Sequence, residues 1–287
     1  MDWIVFCLVN AIVATAAWLL AVRGYGERPA EAVVAFGFYV VGLVCVPILA
    51  LGWANGLTRV SLFIAASGLA TGIVVVALWG SARARLGEAG SVLRALVRLP
   101  IDALVQGLRS FSLAGVALLA CGAIVVWTVV LTWLAPASGW DGIWYHDPIV
   151  GFAIQRHGFA WVEMPGKLEL VNGYPKTSEM LSLWFAIFTG RTLLEVPNSL
   201  LAPLLIGSVY LLLRHLEVRR DGSLAFSLLF FLLPGVVLQL RSTYVDATFI
   251  SVFAGSLCFL LRPQLRARDA LTAILGIGLW TGMKTTG

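Results

Sequence analysis

Leu113–Leu134 reads LAGVALLACGAIVVWTVVLTWL, a run without one charged side chain. A helix needs roughly 20 such residues to cross a hydrocarbon core ~30 Å thick. Lipid offers no partner to an exposed peptide group, so a crossing segment of this kind must be helical. Reading outward, comparable runs cover 3–22, 32–51 and 60–79 on one side, and 196–213, 224–240, 247–261 and 271–287 on the other. The 287-residue chain is 60% hydrophobic and 12% charged, with a mean hydropathy of +0.92. Soluble domains carry about a quarter of their residues as charges. The sequence therefore predicts an all-α fold, a polytopic transmembrane helix bundle of about eight spans.

Composition narrows the function classes. Lys and Arg outnumber Asp and Glu by 20 to 15. In a chain this apolar the excess belongs to loop asymmetry rather than to a nucleic-acid footprint. Cys7, Cys45, Cys121 and Cys258 all sit in apolar runs without CxxC spacing, so they read as helix-packing residues. The first run opens on Asp2 instead of a basic segment and lacks a small-residue cleavage site, which reads as a retained span. At the other terminus Met283-Lys284-Thr285-Thr286-Gly287 falls inside an apolar helix with no polar tail. That ending reads as the N-terminal part of a longer protein, and the 287-residue stretch is expected to be inactive alone.

One apolar run is too short to cross. Residues 180–189 lie between Glu179 and Arg191, which should hold its ends in polar surroundings. Its length suits a juxtamembrane or re-entrant helix. Without a crossing there, one side collects Arg23, Arg28, the arginines of 83–109, Arg214, Arg219, Arg220, Arg262, Arg266 and Arg268. The other keeps Arg59, Arg156, Lys167, Lys176, Arg191, Arg241 and Lys284. The larger set is assigned to the cytoplasm by the positive-inside rule. Residues 141–191, the turn 241–246 and Lys284 then share the extracytoplasmic side. The loop 81–110 reads as a basic amphipathic connector on anionic lipid.

The chemistry-bearing residues lie on that outer side. Trp140-Asp141-Gly-Ile-Trp-Tyr145-His146-Asp147-Pro148 follows the quoted span. Asp141 is placed to act as a general base or to orient an acceptor, or to cap a helix starting near Ile143. Asp141 and Tyr145 share a helical face, whereas Tyr145 and His146 diverge by ~100°. Asp141, His146, Asp147 and His157 are metal-ligand residue types without metal-motif spacing. In Asn172-Gly-Tyr-Pro175-Lys-Thr-Ser-Glu179 a turn opens a helix, with Thr177 or Ser178 as cap and Glu179 in the first turn. Arg241 and Asp246 flank another turn and can pair with each other, or Arg241 can take a phosphate in its bidentate fork. Lys284, deep in a Gly-rich helix, needs an acid such as Asp246 or a polar cavity.

Taken in order, these residues resemble the N-terminal half of the integral-membrane GT-C glycosyltransferases. The order is a span, Trp-Asp-x-x-x-Tyr-His, a polar loop, Tyr-Pro-x-x-x-Glu opening a short helix, Thr243-Tyr-Val-Asp246, and Lys284-Thr-Thr. The nearest branch is the bacterial proteins related to dolichyl-phosphate-mannose protein mannosyltransferases and to the aminoarabinose transferase of lipid A. The resemblance covers 111–287, a membrane core following a three-span region and basic cytoplasmic connector at 1–110. It implies sugar transfer from a polyprenyl-phosphate donor to an extracytoplasmic lipid, glycan or protein acceptor, in the bacterial cytoplasmic (inner) membrane. Asp141 and Asp246 are then the catalytic acids. Tyr145, His146, Glu179, Arg241 and Lys284 contact substrate, and a divalent metal is used by some branches. Asp147 stands where the family motif has an apolar residue, and three spans precede the motif helix where the best-known members place it first. The alternative is a lipid or anion transporter or flippase, in which Arg241, Asp246 and Lys284 form a substrate or proton pathway.

Overall fold

The computed structural model describes residues 2–80, 82–110, 112–135, 139–163 and 169–284. Within them the chain is helical and carries no strand. It runs α1 (Asp2–Tyr25), α2 (Pro29–Trp53), α3 (Arg59–Leu78), α4 (Ala82–Ser110) and α5 (Leu113–Leu134), then a π-helical turn (Gly142–His146) leading into α6 (Asp147–Gln155). There follow α7 (Glu169–Gly173), α8 (Thr177–Thr189), a 3-10 turn (Gly190–Leu193), α9 (Val196–Leu200) and α10 (Ala202–His215). The last are α11 (Arg220–Phe231), α12 (Pro234–Gln239), α13 (Asp246–Leu260) and α14 (Ala267–Thr281).

Helices α1, α2, α3 and α5 are each long and apolar enough to cross a bilayer, which marks an integral membrane protein. The later apolar runs behave differently. The run at 196 divides into α9 and α10, and the run at 224 breaks ahead of Pro234, which begins α12. Proline has no N–H to give the preceding turn and pushes the residue before it out of the helical region. Helices α13 and α14 hold 15 residues each, roughly 22 Å of rise against a core of ~30 Å.

Packing is tight where side chains are small. Phe38 of α2 is fully buried because Gly255 on α13 and Gly276 on α14 face it. A Cβ at either position would come within 2.8 or 2.6 Å of its ring, so the ring occupies the room the missing side chains leave. The short α8 sits inside the bundle: Thr177 through Trp184 are buried without interruption, and Trp184 Nε1 donates to Asn10 Oδ1 on α1 at 3.1 Å. Cys45, Cys121 and Cys258 are buried packing residues, while Cys7 lies on the outside.

The bundle has two different ends. At one, Arg262 bonds Glu31 (2.5 Å) and Asp269 (2.7 Å) and lies over the rings of Tyr25 and Phe259. Asp269 is fully buried. This gathers the C-terminal ends of α1 and α13 with the N-terminal ends of α2 and α14. At the opposite end, Leu57 N donates to His157 O and Phe159 N to Gly52 O, stitching the loop after α6 to the α2–α3 turn. His157 adopts φ 56° there, a turn residue by its backbone.

Arg262→Ala would leave buried Asp269 and half-buried Glu31 without their shared cation. Such a break costs about 3 kcal/mol, so the melting temperature in detergent is expected to fall well below that of the parent, with Arg262→Lys losing less.

Candidate functional site

The residues after α5 re-enter the bundle through the π-helical turn. Its wider ring takes the amide of Asp147 to the carbonyl of Gly142, five residues back. Such a turn re-aims side chains relative to an α-helix. Here it buries Tyr145 and His146 and leaves Trp140 and Trp144 outside. Gly142 is required: a Cβ would stand 2.8 Å from Thr243 Oγ1. Residues 136–138, in the approach to this turn, lie outside the described residues.

Four segments meet at this end. From α8, Glu179 Oε1 lies 2.5 Å from His146 Nδ1, both side chains 2% exposed. With Nδ1 engaged by a carboxylate, the imidazole's tautomer and orientation are set and its Nε2 is the nitrogen left for other chemistry. Tyr145 lies against His146 (4.1 Å between centroids) and Tyr174 (5.1 Å) with the rings tilted. Burial pushes the Tyr145 phenol above its ordinary pKa, helped by the nearby Asp141 carboxylate. Lys176 bonds the carbonyls of Asn172 and Tyr174. Its burial lowers the ammonium's pKa, against the pull of Glu179.

The third segment is the turn before α13, which Asn198 of α9 holds. Its amide donates to the carbonyls of Gln239, Ser242 and Tyr244 at 3.1, 2.8 and 2.8 Å, and its oxygen accepts from Thr248. Ser199 adds a bond to Leu240 O at 2.9 Å. The turn thus clamped presents Thr243 to Asp147 Oδ1 (2.8 Å) and the Tyr244 hydroxyl to the amide of Asp141 (3.4 Å). It also places Asp246 under Gln239, whose amide donates to Oδ2 at 3.3 Å. From the end of α14, Lys284 Nζ reaches Asp246 Oδ1 at 2.5 Å, with both side chains partly exposed. Thr177 N donates to Gly282 O at 2.9 Å, fixing that chain end against the start of α8.

The structure corrects several sequence expectations. Asp141 does not cap: its backbone is already helical and its side chain makes no capping bond; its carboxylate turns to Tyr145 instead. Tyr145 and His146 do not diverge, because the π-turn brings their rings together. Glu179 is not in polar surroundings but sealed against His146. Neither Thr177 nor Ser178 caps α8, whose cap position is Lys176. Lys284 finds its acid in Asp246, as its charge required, but it lies past the end of α14 rather than deep within it. Lys167 falls outside the described residues.

Glu195, Asn198 and Tyr244 were given no role by the sequence reading. Glu195 is 2% exposed, and neither of its carboxylate oxygens has a hydrogen-bond partner among the described residues. Burial raises its pKa to about 7, with Arg241 and Arg191 pulling it down and Asp147 pushing it up. Asp147 is also raised by burial, against its bond from Thr243 and the charge of Arg191, whose Nη2 lies 3.8 Å from Oδ2. The Asn198 clamp and Tyr244 complete the set. An acid directly abutting an apolar run, as in Glu195-Val-Pro-Asn198, was the available signal.

Among the described residues no three His, Cys, Asp or Glu side chains gather as a metal-ligand set, and an ammonium already occupies Asp246 Oδ1. The described donors therefore do not make a set that fits a resident divalent cation. An apolar groove of about 310 Å³ opens between α1, α2, α8 and the α9–α10 junction, lined by Val40, Val44, Leu181, Trp184, Leu200 and Leu204 among others. No protein-family model, curated protein or solved structure matches the chain.

A carboxyl whose folded pKa exceeds its unfolded value holds its proton more tightly when folded. Its stabilising contribution is full below the unfolded pKa and is lost as pH rises toward the folded one. For Glu195 that window runs from about 4.5 to about 7. The melting temperature is expected to fall across it, and Glu195→Gln is expected to flatten that fall in thermal scans between pH 5 and pH 8.

Proposed function

We propose that the protein is a membrane glycosyltransferase of the GT-C kind, moving a sugar from a polyprenyl-phosphate donor to an extracytoplasmic acceptor at the bacterial inner membrane. The observation that carries this reading is the meeting of Asp141, Tyr244, Asp246 and Lys284 at one end of the bundle. A separate apolar groove opens between α1, α2, α8 and the α9–α10 junction. The residues come from the loop after α5, the turn before α13 and the end of α14, the three places where the family resemblance puts its functional residues.

In this reading Asp141 takes the proton of the acceptor hydroxyl as its oxygen attacks the anomeric carbon. The bond from that carbon to the phosphate oxygen breaks, and the lipid phosphate leaves with the electron pair. Lys284 and Arg241 neutralise the departing charge, the kind of electrostatic stabilisation that lowers the barrier most. Asp246 holds Lys284 in place until phosphate competes for it. Tyr145, His146 and Glu179 form the wall that shapes the sugar site, and the groove beside α8 takes part of the prenyl chain. The arginine-rich end around Arg262 would be cytoplasmic under the positive-inside rule, leaving this site outside. The broken helices α9–α10 and α11–α12, with α13 and α14, would complete about eight crossings by packing against one another at membrane depth.

The test is transfer of radiolabelled sugar from polyprenyl-phosphate donors to membrane acceptors by the full-length protein and its Asp141→Asn variant at matched folded amounts. Loss of a general base costs typically 10²- to 10⁴-fold, so transfer is expected to drop at least about 100-fold. Transfer that continues unchanged in Asp141→Asn would remove Asp141 from the chemistry.

A further inference from the structure

Helix α4 fits neither the interior of the bundle nor open water. Its 29 residues carry seven charged side chains, too many for a span, and they extend for about 43 Å. One stripe, containing Ala89 and Val92, packs on Leu19 and Val22 of α1 and Ala77 of α3, and Trp18 Nε1 donates to Ala89 O at 3.2 Å. A second stripe joins no buried cluster among the described residues. Leu86, Leu93, Val97 and Ile101 are 54, 51, 52 and 51% exposed. At ~100° per residue they fall within roughly 80° of arc, about 120° around the helix from the packed stripe. Arg83, Arg94 and Arg98 are exposed and project along the shoulder of that apolar stripe.

We propose that α4 lies in the headgroup layer of an anionic membrane, with this second stripe in the acyl boundary and the arginines on lipid phosphates. Three observations choose lipid as the occupant. The helix joins α3 to α5, both of bilayer-crossing length, so its ends are tied to the ends of spans. It packs on the last turns of α1, the end of the bundle where Arg28, Arg219 and Arg266 are also exposed. The sequence of an apolar stripe with arginines at its edge is the arrangement of an interfacial helix, and guanidinium groups at that depth complement lipid phosphates. The inference is independent of the glycosyltransferase reading.

The experiment places a nitroxide at Val97→Cys and, separately, at Ile101→Cys in a Cys7→Ser background, with Ser91→Cys as the water-facing control. The full chain is reconstituted into phosphatidylcholine–phosphatidylglycerol vesicles. Labels at 97 and 101 are expected to collide freely with oxygen and poorly with a water-soluble nickel chelate, the reverse of the control. Combining either label with Arg94→Gln and Arg98→Gln, or moving to pure phosphatidylcholine, is expected to raise nickel accessibility severalfold. Nickel accessibility equal to the control would overturn the proposal by placing the stripe in water. Shielding from both reagents would overturn it by showing protein, a second copy included, over the stripe. Insensitivity to both the arginines and the anionic lipid would overturn the charge recognition. Either label position suffices if the other variant does not reconstitute.

Discussion

A charge taken out of water must find a partner, and this constraint organises both ends of the bundle. Isolated ions in a low-dielectric interior cost several kcal/mol each, so the chain buries them in sets. At the basic end the guanidinium of Arg262 serves two acids and two aromatic rings, tying four helix ends to one planar cation. At the other end His146 is sealed against Glu179, while Lys284 and Asp246 pair where both are still partly exposed. Glu195 has no hydrogen-bond partner among the described residues, and its burial raises its pKa to about 7.

The backbone supplies the rest of the site's geometry. A π-turn of five residues gives the loop after α5 a register that an α-helix would not, and Gly142 lets Thr243 approach. Asn198 then holds the facing turn through three carbonyls. A clamp of that kind fixes Tyr244 and Thr243 without using either side chain's own hydrogen-bonding capacity. The polar contacts of the site therefore rest on segments far apart in sequence, each braced by backbone bonding.

Legibility followed the range of the interaction involved. The spans α1, α2, α3 and α5 were visible because a helix in lipid must satisfy its backbone alone, which writes itself into some twenty consecutive residues. The segments broken at Leu201 and before Pro234 were read as unbroken runs because apolar composition outweighed the local proline. Asp246 was visible as an acid at a helix start, and its partner was guessed from two candidates, Arg241 and Lys284. The His146–Glu179 pair was not legible as a pair: the two residues are 33 positions apart and neither carries a motif that names the other. Asn198 looked like an ordinary polar residue in an apolar stretch.

By itself, then, the sequence determined an all-helical membrane chain, its four long apolar helices, and the pool of acids, bases and aromatics from which a site could be drawn. Those properties depend on composition and on contacts a few residues long. Tertiary structure alone decided which distant residues meet: that His146 joins Glu179, that Asn198 clamps the turn before α13, and that Glu179 and Glu195 are sealed from water. The reason is physical. Burial and pairing are properties of the space between helices, and that space exists only once α2, α8, α13 and α14 have packed around Phe38 and Trp184.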